Sequence, residues 1–126
     1  MKFYLAHNYS QRLELRKIVP EFTKRGHEVT SRWILEDSHD SLSEQRAAKI
    51  DLIDIERSDF LVLFTDQKGQ RPGRGKYIEF GYAFAFRKYI ILVGTEMNTI
   101  FYYLKSFPRF FKLQDLLDSL DMEATE

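Results

Sequence analysis

Two acidic residues stand on helix faces that should be apolar. Gly75-Lys76-Tyr77-Ile78-Glu79-Phe80-Gly81-Tyr82-Ala83 reads as the opening of a helix. At about 100° per residue, Glu79 shares a stripe with Gly75, Tyr82, Ala83 and Phe86. It falls in the first turn, where the helix dipole favours an ionised carboxylate. Gly75, one turn earlier, leaves room for backbone or ligand to come close. A carboxylate so placed can attack an electrophilic carbon or exchange a proton. An ion-paired or N-capping glutamate would give the same local pattern.

The segment 41–57 repeats the anomaly. On its wheel Asp51 lies about 40° from both Ala47 and Ile55, in an arc that also holds Ala48. Asp54 leans inward beside Ile50 and Ala47, whereas Lys49 and Glu56 fall on the far side. Inward acids need a partner or a task, because burying an unpaired charge is costly. For Asp54 the structural explanation is favoured: a bond to loop backbone or a pair with an arginine. Asp59, just before an apolar run, suits a turn or cap.

The remaining polar groups are less telling. His7, His27 and His39 lack metal-ligand spacing, and without cysteine there is no thiolate site or disulfide, so neither metal nor cofactor is expected. Arg32 and Trp33 could sit at a pocket mouth or simply pack. Arg71, Arg74 and Lys76 cluster in a glycine-rich loop that could hold a phosphate or be plainly solvated. That loop lacks the Gly-Lys-Ser/Thr ending of a Walker A loop. No serine–histidine–aspartate order suggests a hydrolase triad.

The elements that must position these groups alternate. Residues 3–6 form a first short apolar strand. Ser10 is the expected N-cap of a helix over 11–25, in which Pro20 should introduce a bend, and Gly26 ends it. Residues 28–34 read as a second strand of mixed polarity near an edge. Ser41 and Glu44 fit a capping box for a helix to about Arg57. Phe60-Leu61-Val62-Leu63-Phe64 and Tyr89-Ile90-Ile91-Leu92-Val93 are continuous apolar runs of the kind buried on both faces of a parallel sheet. Between them a helix should run from 75 to about 88. A short helix within 98–104, an edge strand over 107–111 and a closing helix over 113–120 complete the chain, whose acidic tail should fray.

Five strands alternating with helices predict an α/β doubly wound, flavodoxin-like parallel sheet of order 2-1-3-4-5, with residues 1–126 as one domain. Ligands of such sheets bind beyond the carboxyl ends of the strands, at the switch point between strands 1 and 3. The loops after Ala6, Phe64 and Val93 are therefore where chemistry is expected.

At these positions the chain resembles the nucleoside 2-deoxyribosyltransferase family. The resemblance rests on Phe3-Tyr4-Leu5-Ala6-His7-Asn8, on Gly26-His27-Glu28-Val29-Thr30-Ser31-Arg32-Trp33, on Asp51-Leu52 followed by Ser58-Asp59, and on Gly75-x-x-x-Glu79-x-Gly81-x-Ala83. Val93-Gly94 and Asn98-Thr99-Ile100-Phe101 extend it nearly to the end. It implies an enzyme that cleaves an N-glycosidic bond through a covalent glycosyl–Glu79 ester and passes the sugar to a second base. Glu79, Tyr4 and Asp51 would be catalytic: Tyr4 would orient Glu79, and Asp51 would accept a sugar hydroxyl. Ala6, His7, Asn8, Trp33, Gly75 and Asn98 would bind substrate, Asn98 reaching a neighbouring subunit's pocket in a homodimer or larger assembly. The family's transferases often place an aspartate six positions before the nucleophile; here Gly73 stands there, and related deoxynucleoside 5′-monophosphate N-glycosidases also lack that aspartate. Hydrolysis of a nucleoside 5′-monophosphate, with Ser10, Arg12 or Arg74 holding the phosphate, is thus the alternative. A nucleotide-binding module without turnover is a third reading.

Bulk properties agree with a small-molecule enzyme. Nineteen basic and nineteen acidic residues give a formal net charge of zero, which disfavours a nucleic acid polymer as main partner. The opening residues do not build a signal peptide, and no apolar run approaches the roughly 20 residues that span a bilayer. A cytoplasmic protein is the expectation. The aromatic-rich segment Phe101 to Phe111 suggests a surface shared between subunits.

Overall fold

The computed structural model describes residues 1–36, 41–67, 69, 73–95, 100–104 and 106–125. Five strands, β1 (Lys2–Ala6), β2 (Glu28–Val29), β3 (Phe60–Phe64), β4 (Tyr89–Val93) and β5 (Arg109–Phe110), alternate with helices α1 (Arg12–Thr23), α2 (Ser41–Glu56), α3 (Gly75–Ala85) and α4 (Leu113–Thr125). All pairings are parallel and the order is β2-β1-β3-β4-β5, the flavodoxin-like arrangement expected from the alternation. The apolar runs of β3 and β4 form the middle of the core, with Leu61, Val62, Leu63 and Leu92 fully enclosed. Helices on both faces cover them, which is why these strands carry no polar alternation. No helix among the described residues is long and apolar enough to cross a membrane.

The differences from the expected boundaries have local causes. Ser10 does not cap α1; it lies in a 3-10 turn over Tyr9–Gln11, closed by the Gln11 amide on the Asn8 carbonyl at 2.9 Å. The helix starts at Arg12 and continues through Pro20. The Ser41 capping box and His39 involve side chains outside the described residues. Helix α3 stops at Ala85, before Arg87 enters the left-handed region at φ 59°. The short helix predicted within 98–104 is a 3-10 turn over Ile100–Tyr103, and α4 runs on to Thr125 where a frayed tail was expected.

The largest departure is the second strand. Residues 28–34 were expected to extend, but only Glu28 and Val29 pair as strand, and Arg32–Leu35 coil into a 3-10 turn. Side chains take over the pairing. Ser31 Oγ accepts the Leu5 amide at 3.1 Å, and the Trp33 indole N–H donates to the Leu5 carbonyl at 2.9 Å. Asp54, fully buried on α2, accepts the Arg32 amide at 3.0 Å and the Arg32 guanidinium at 2.8 Å. This is the loop bond and arginine pair foreseen for Asp54. Asp59, expected to serve a turn or cap, instead ties the start of β1 from a distance, accepting the Lys2 amide at 2.8 Å.

Because Asp54 satisfies three donors on Arg32 from a buried position, Asp54→Ala should be costly. Loss of about 3 kcal/mol of stability is expected. Denaturant unfolding checks it, and a change below about 1 kcal/mol would mean that the pair is incidental.

Candidate active site

The carboxyl ends of β1 and β3 face the start of α3 and the middle of α2; because α3 begins at Gly75, Glu79 lies in its second turn and not in the first as expected, and the first turn carries no acid. Alternation along β1 sends Phe3 toward α1, where it packs on Phe22, and Tyr4 toward α3. The Tyr4 hydroxyl, on a fully enclosed ring, donates a hydrogen bond to Glu79 Oε2. Across from it, the Asp51 carboxyl lies within hydrogen-bonding reach of Glu79. The two acids that break their helix stripes therefore meet, at the place where the topology puts a ligand.

Their environment holds protons. Burial, partly offset by the Tyr4 hydrogen bond and reinforced by Asp51, pushes the Glu79 carboxyl up to about 8. Burial, with the nearby charges of Asp54 and Glu36, pushes Asp51 up to about 7. Tyr4 is raised well above its usual value, by burial first and by Glu79 next, so it stays a donor. Two adjacent carboxyl groups titrate as a unit, and near neutrality this unit retains a proton. Asp51 Oδ1 is buried without a hydrogen-bond partner. An acceptor left so is disfavoured by about 1–3 kcal/mol until something donates to it.

These acids open onto a cavity of about 420 Å³ lined by His7, Asn8, Tyr9, Ser10, Trp33, Glu36, Ala47, Ile50, Asp51, Gly73, Arg74, Gly75, Lys76 and Glu79. His7, Asn8, Trp33 and Gly75, picked from the sequence, thus share one wall system with Asp51 and Glu79. Ala6 is enclosed in β1 and is not among the lining residues. Arg12 does not line the cavity either; its guanidinium covers the Tyr9 ring at 4.5 Å. Asn98 lies outside the described residues, as does Arg71. The cavity's apolar side comes from Trp33, Ala47 and Ile50.

Gly73 and Gly75 differ in what they permit. A Cβ on Gly73 would stand 2.0 Å from Asn8 Oδ1, so the chain is bare there because the Asn8 side chain fills the space. A Cβ on Gly75 would meet nothing within 4 Å. Its bareness leaves open space at the helix start.

Sequence reasoning missed Glu36 and the burial of Lys76. Glu36 contributes charge beside Asp51, yet it follows a turn with no motif to mark it. Lys76 was placed in a loop cluster that could hold a phosphate or be solvated, but its side chain is entirely enclosed, with Nζ 2.9 Å from Asp66 Oδ1. The Tyr77 hydroxyl donates to the other Asp66 oxygen at 2.5 Å. Burial and the Lys76 charge push the His7 imidazole down to about 4, so it is neutral at physiological pH. Its Nδ1 accepts the Asn8 amide at 2.7 Å, and its ring stacks on Phe64 at 4.7 Å.

Neither a family model nor a curated protein matches the sequence. The fold does match solved structures over nearly their full lengths. The CMP N-glycosidase BcmB of Clostridium botulinum is similar at a TM-score of 0.68 and 21% identity, over 97% of this chain and 99% of that one. A 2-deoxyribosyltransferase of Bacillus psychrosaccharolyticus is similar at 0.68 and 20% identity, over 95% and 96%. A conserved protein from Enterococcus faecalis V583 is similar at 0.64 and 15% identity, over 98% of each chain. In fold, this chain is therefore like an N-glycosidase and a 2-deoxyribosyltransferase, the two kinds of enzyme that its own motifs resemble.

Proposed function

We propose that the protein cleaves the N-glycosidic bond of a nucleoside through a covalent intermediate on Glu79 and transfers the sugar to another base. The observation that carries this reading is the Tyr4–Glu79–Asp51 cluster at the edge of a cavity with an apolar side. Glu79 attacks C1′ while the C1′–N bond breaks, giving a glycosyl ester and a free base. The transition state has oxocarbenium character, as in retaining glycosidases. The proton that the leaving base needs comes from the carboxyl pair, which holds one near neutral pH. A second base or a water then attacks C1′ and releases Glu79. Asp51 Oδ1, unpartnered in the cavity wall, accepts a sugar hydroxyl. The apolar side formed by Trp33, Ala47 and Ile50 suits a base.

A second reading, hydrolysis of a nucleoside 5′-monophosphate, is favoured by Gly73. The acid that would serve base exchange is missing there, and Asn8 occupies the space it would need. A neighbour of the same fold is a CMP N-glycosidase. Incubation with a panel of nucleosides and their 5′-monophosphates, with and without a free acceptor base, separates the readings by chromatography. Exchange of bases supports transfer, and release of base only with monophosphates supports hydrolysis. Tight binding without any cleavage would replace both with a binding module.

The exposed rings of Phe101, Tyr103 and Phe111 support a shared subunit surface, and we propose a homodimer or larger assembly. Light scattering at micromolar concentration is expected to give at least twice the chain mass; a strict monomer would remove Asn98 from the site.

A further inference from the structure

The start of α3 has little of its own to hold it. Arg74 gives it no side-chain cap, and its first turn carries no acid to meet the helix dipole. Gly75 stands at the first helical position, with open space where a Cβ would lie, and glycine is a weak helix former. Ile78 is 71% exposed. The helix is seated by its later residues. Phe80 sets its ring edge-on to Phe107 at 5.6 Å, and Ala83 is fully enclosed. A helix of 11 residues seated in that way is free to fray or tilt at its start. Glu79 lies between that start and the seat.

One side chain from outside α3 grips this turn. Asp66 follows the end of β3 by two residues, and the Thr65 amide between them still bonds to the Val93 carbonyl at 2.9 Å, so Asp66 stands on the edge of the rigid sheet. One of its oxygens lies 2.9 Å from Lys76 Nζ, and the other accepts the Tyr77 hydroxyl at 2.5 Å. The Lys76 ammonium also lies 5.3 Å from the centre of the Tyr77 ring, so the three groups close a triangle. Lys76 is enclosed and the Asp66 side chain is only 12% exposed, so salt and water screen the pair little. Burial and the Asp66 charge push the Tyr77 hydroxyl up, so it stays a donor. Attachment at two consecutive residues fixes both the advance of the helix along its axis and its rotation; a single attachment would leave the rotation free. Neither Asp66 nor Tyr77 is among the residues lining the cavity that holds Glu79. Their effect on that cavity therefore passes through α3.

We propose, on the reading of Glu79 as the nucleophile, that Asp66 is a positioning residue for the reaction. By gripping Lys76 and Tyr77 it sets where α3 presents Glu79, and so how closely that carboxyl meets the Tyr4 hydroxyl and the carbon it attacks. A reacting group displaced by about 1 Å loses about 10²-fold in rate, even when the change lies away from the chemistry. Substrate binding, which uses the cavity wall, is left largely as it was.

The test uses two variants. Tyr77→Phe releases one oxygen of Asp66 and keeps the ion pair; Asp66→Asn removes the charge opposite Lys76. Rates are measured on the nucleoside or 5′-monophosphate that the substrate panel identifies, at a temperature where circular dichroism shows each variant folded. The expected kcat is lower by about tenfold for Tyr77→Phe and about 10²-fold for Asp66→Asn, with KM within about threefold of wild type. The second readout needs no turnover. Tyr4 stands on β1, and its hydroxyl is tied to α3 through Glu79. The Cζ resonance of isotopically labelled Tyr4 reports that hydrogen bond and should move in both variants. A residue that only stabilised the fold would leave kcat and this resonance unchanged in folded protein. If Asp66→Asn does not fold, because Lys76 is left alone, Tyr77→Phe decides. Wild-type kcat in a folded variant, a loss that falls in KM instead, or an unmoved Tyr4 resonance would each overturn the positioning role. If the wild-type protein cleaves nothing, the covalent reading fails and the Tyr4 resonance alone decides whether Asp66 sets Glu79. Cleavage by the wild type with unchanged kcat in folded variants would keep the covalent reading and discard this one.

Discussion

Glu79→Gln should lower turnover of the preferred substrate by about 10⁴-fold or more while leaving the fold intact. The amide keeps the shape and can still accept the Tyr4 hydroxyl, but it has no charge with which to attack C1′. In the wild-type protein, acid quench during turnover should trap a mass increment equal to the sugar, with its phosphate if present, on the peptide containing Glu79. The variant should show none. Near wild-type cleavage by Glu79→Gln would end the covalent mechanism.

The same substitution carries a stability signature. The folded-state value for Glu79 is raised to about 8 from an ordinary 4.5, so the folded protein binds this proton more tightly than the unfolded chain. Below pH 4 both states are protonated and the residue is neutral in the balance. As pH rises through the window between these values, the unfolded chain ionises first and wild-type stability falls. Glu79→Gln should therefore be more stable than wild type by about 1–3 kcal/mol at pH 8–9, and equal to it below pH 4. Denaturant midpoints across pH read this directly. A variant less stable than wild type at high pH would mean that the ionised carboxylate is well paired.

Asp51→Asn should cut turnover by about 10²- to 10³-fold, with a different fingerprint. The wild-type rate should follow a bell-shaped pH profile with limbs near 7 and 8, belonging to the coupled pair and not to either acid alone. Removing Asp51 leaves one ionisable carboxyl, so one limb should vanish. Its neighbour's repulsion also goes, and the remaining limb should shift to lower pH. Binding of the sugar should weaken because Asn at this position cannot offer a charged acceptor, yet a slow Glu79 adduct should still form. An unchanged bell would show that the limbs arise elsewhere.

Much of the fold was legible because long apolar runs have few alternative placements. Phe60–Phe64 and Tyr89–Val93 fold as the strands their composition predicts, and the order of the sheet follows from alternation and handedness. Glu79 and Asp51 were legible for the opposite reason. A charge on an otherwise apolar stripe is a local contradiction that a single helix wheel reveals. The second strand was misread because its pairing is done by Ser31, Trp33 and Asp54 side chains, and Asp54 comes from another element.

By itself, then, the sequence determined the α/β architecture, the identity of the two inward acids and the tyrosine in front of them. The architecture and the acids follow from short-range periodicity, which needs no knowledge of distant contacts; the tyrosine was marked only by the family resemblance. The tertiary structure alone decided that Tyr4, Asp51 and Glu79 touch, that the carboxyl pair keeps a proton near neutrality, and that Lys76 is sealed against Asp66. A lysine in a glycine-rich loop carries no local sign of burial. Its burial depends on where β3, its following loop and α3 come together. Proton affinity likewise follows from burial and neighbouring charge, which exist only once the chain has closed around them.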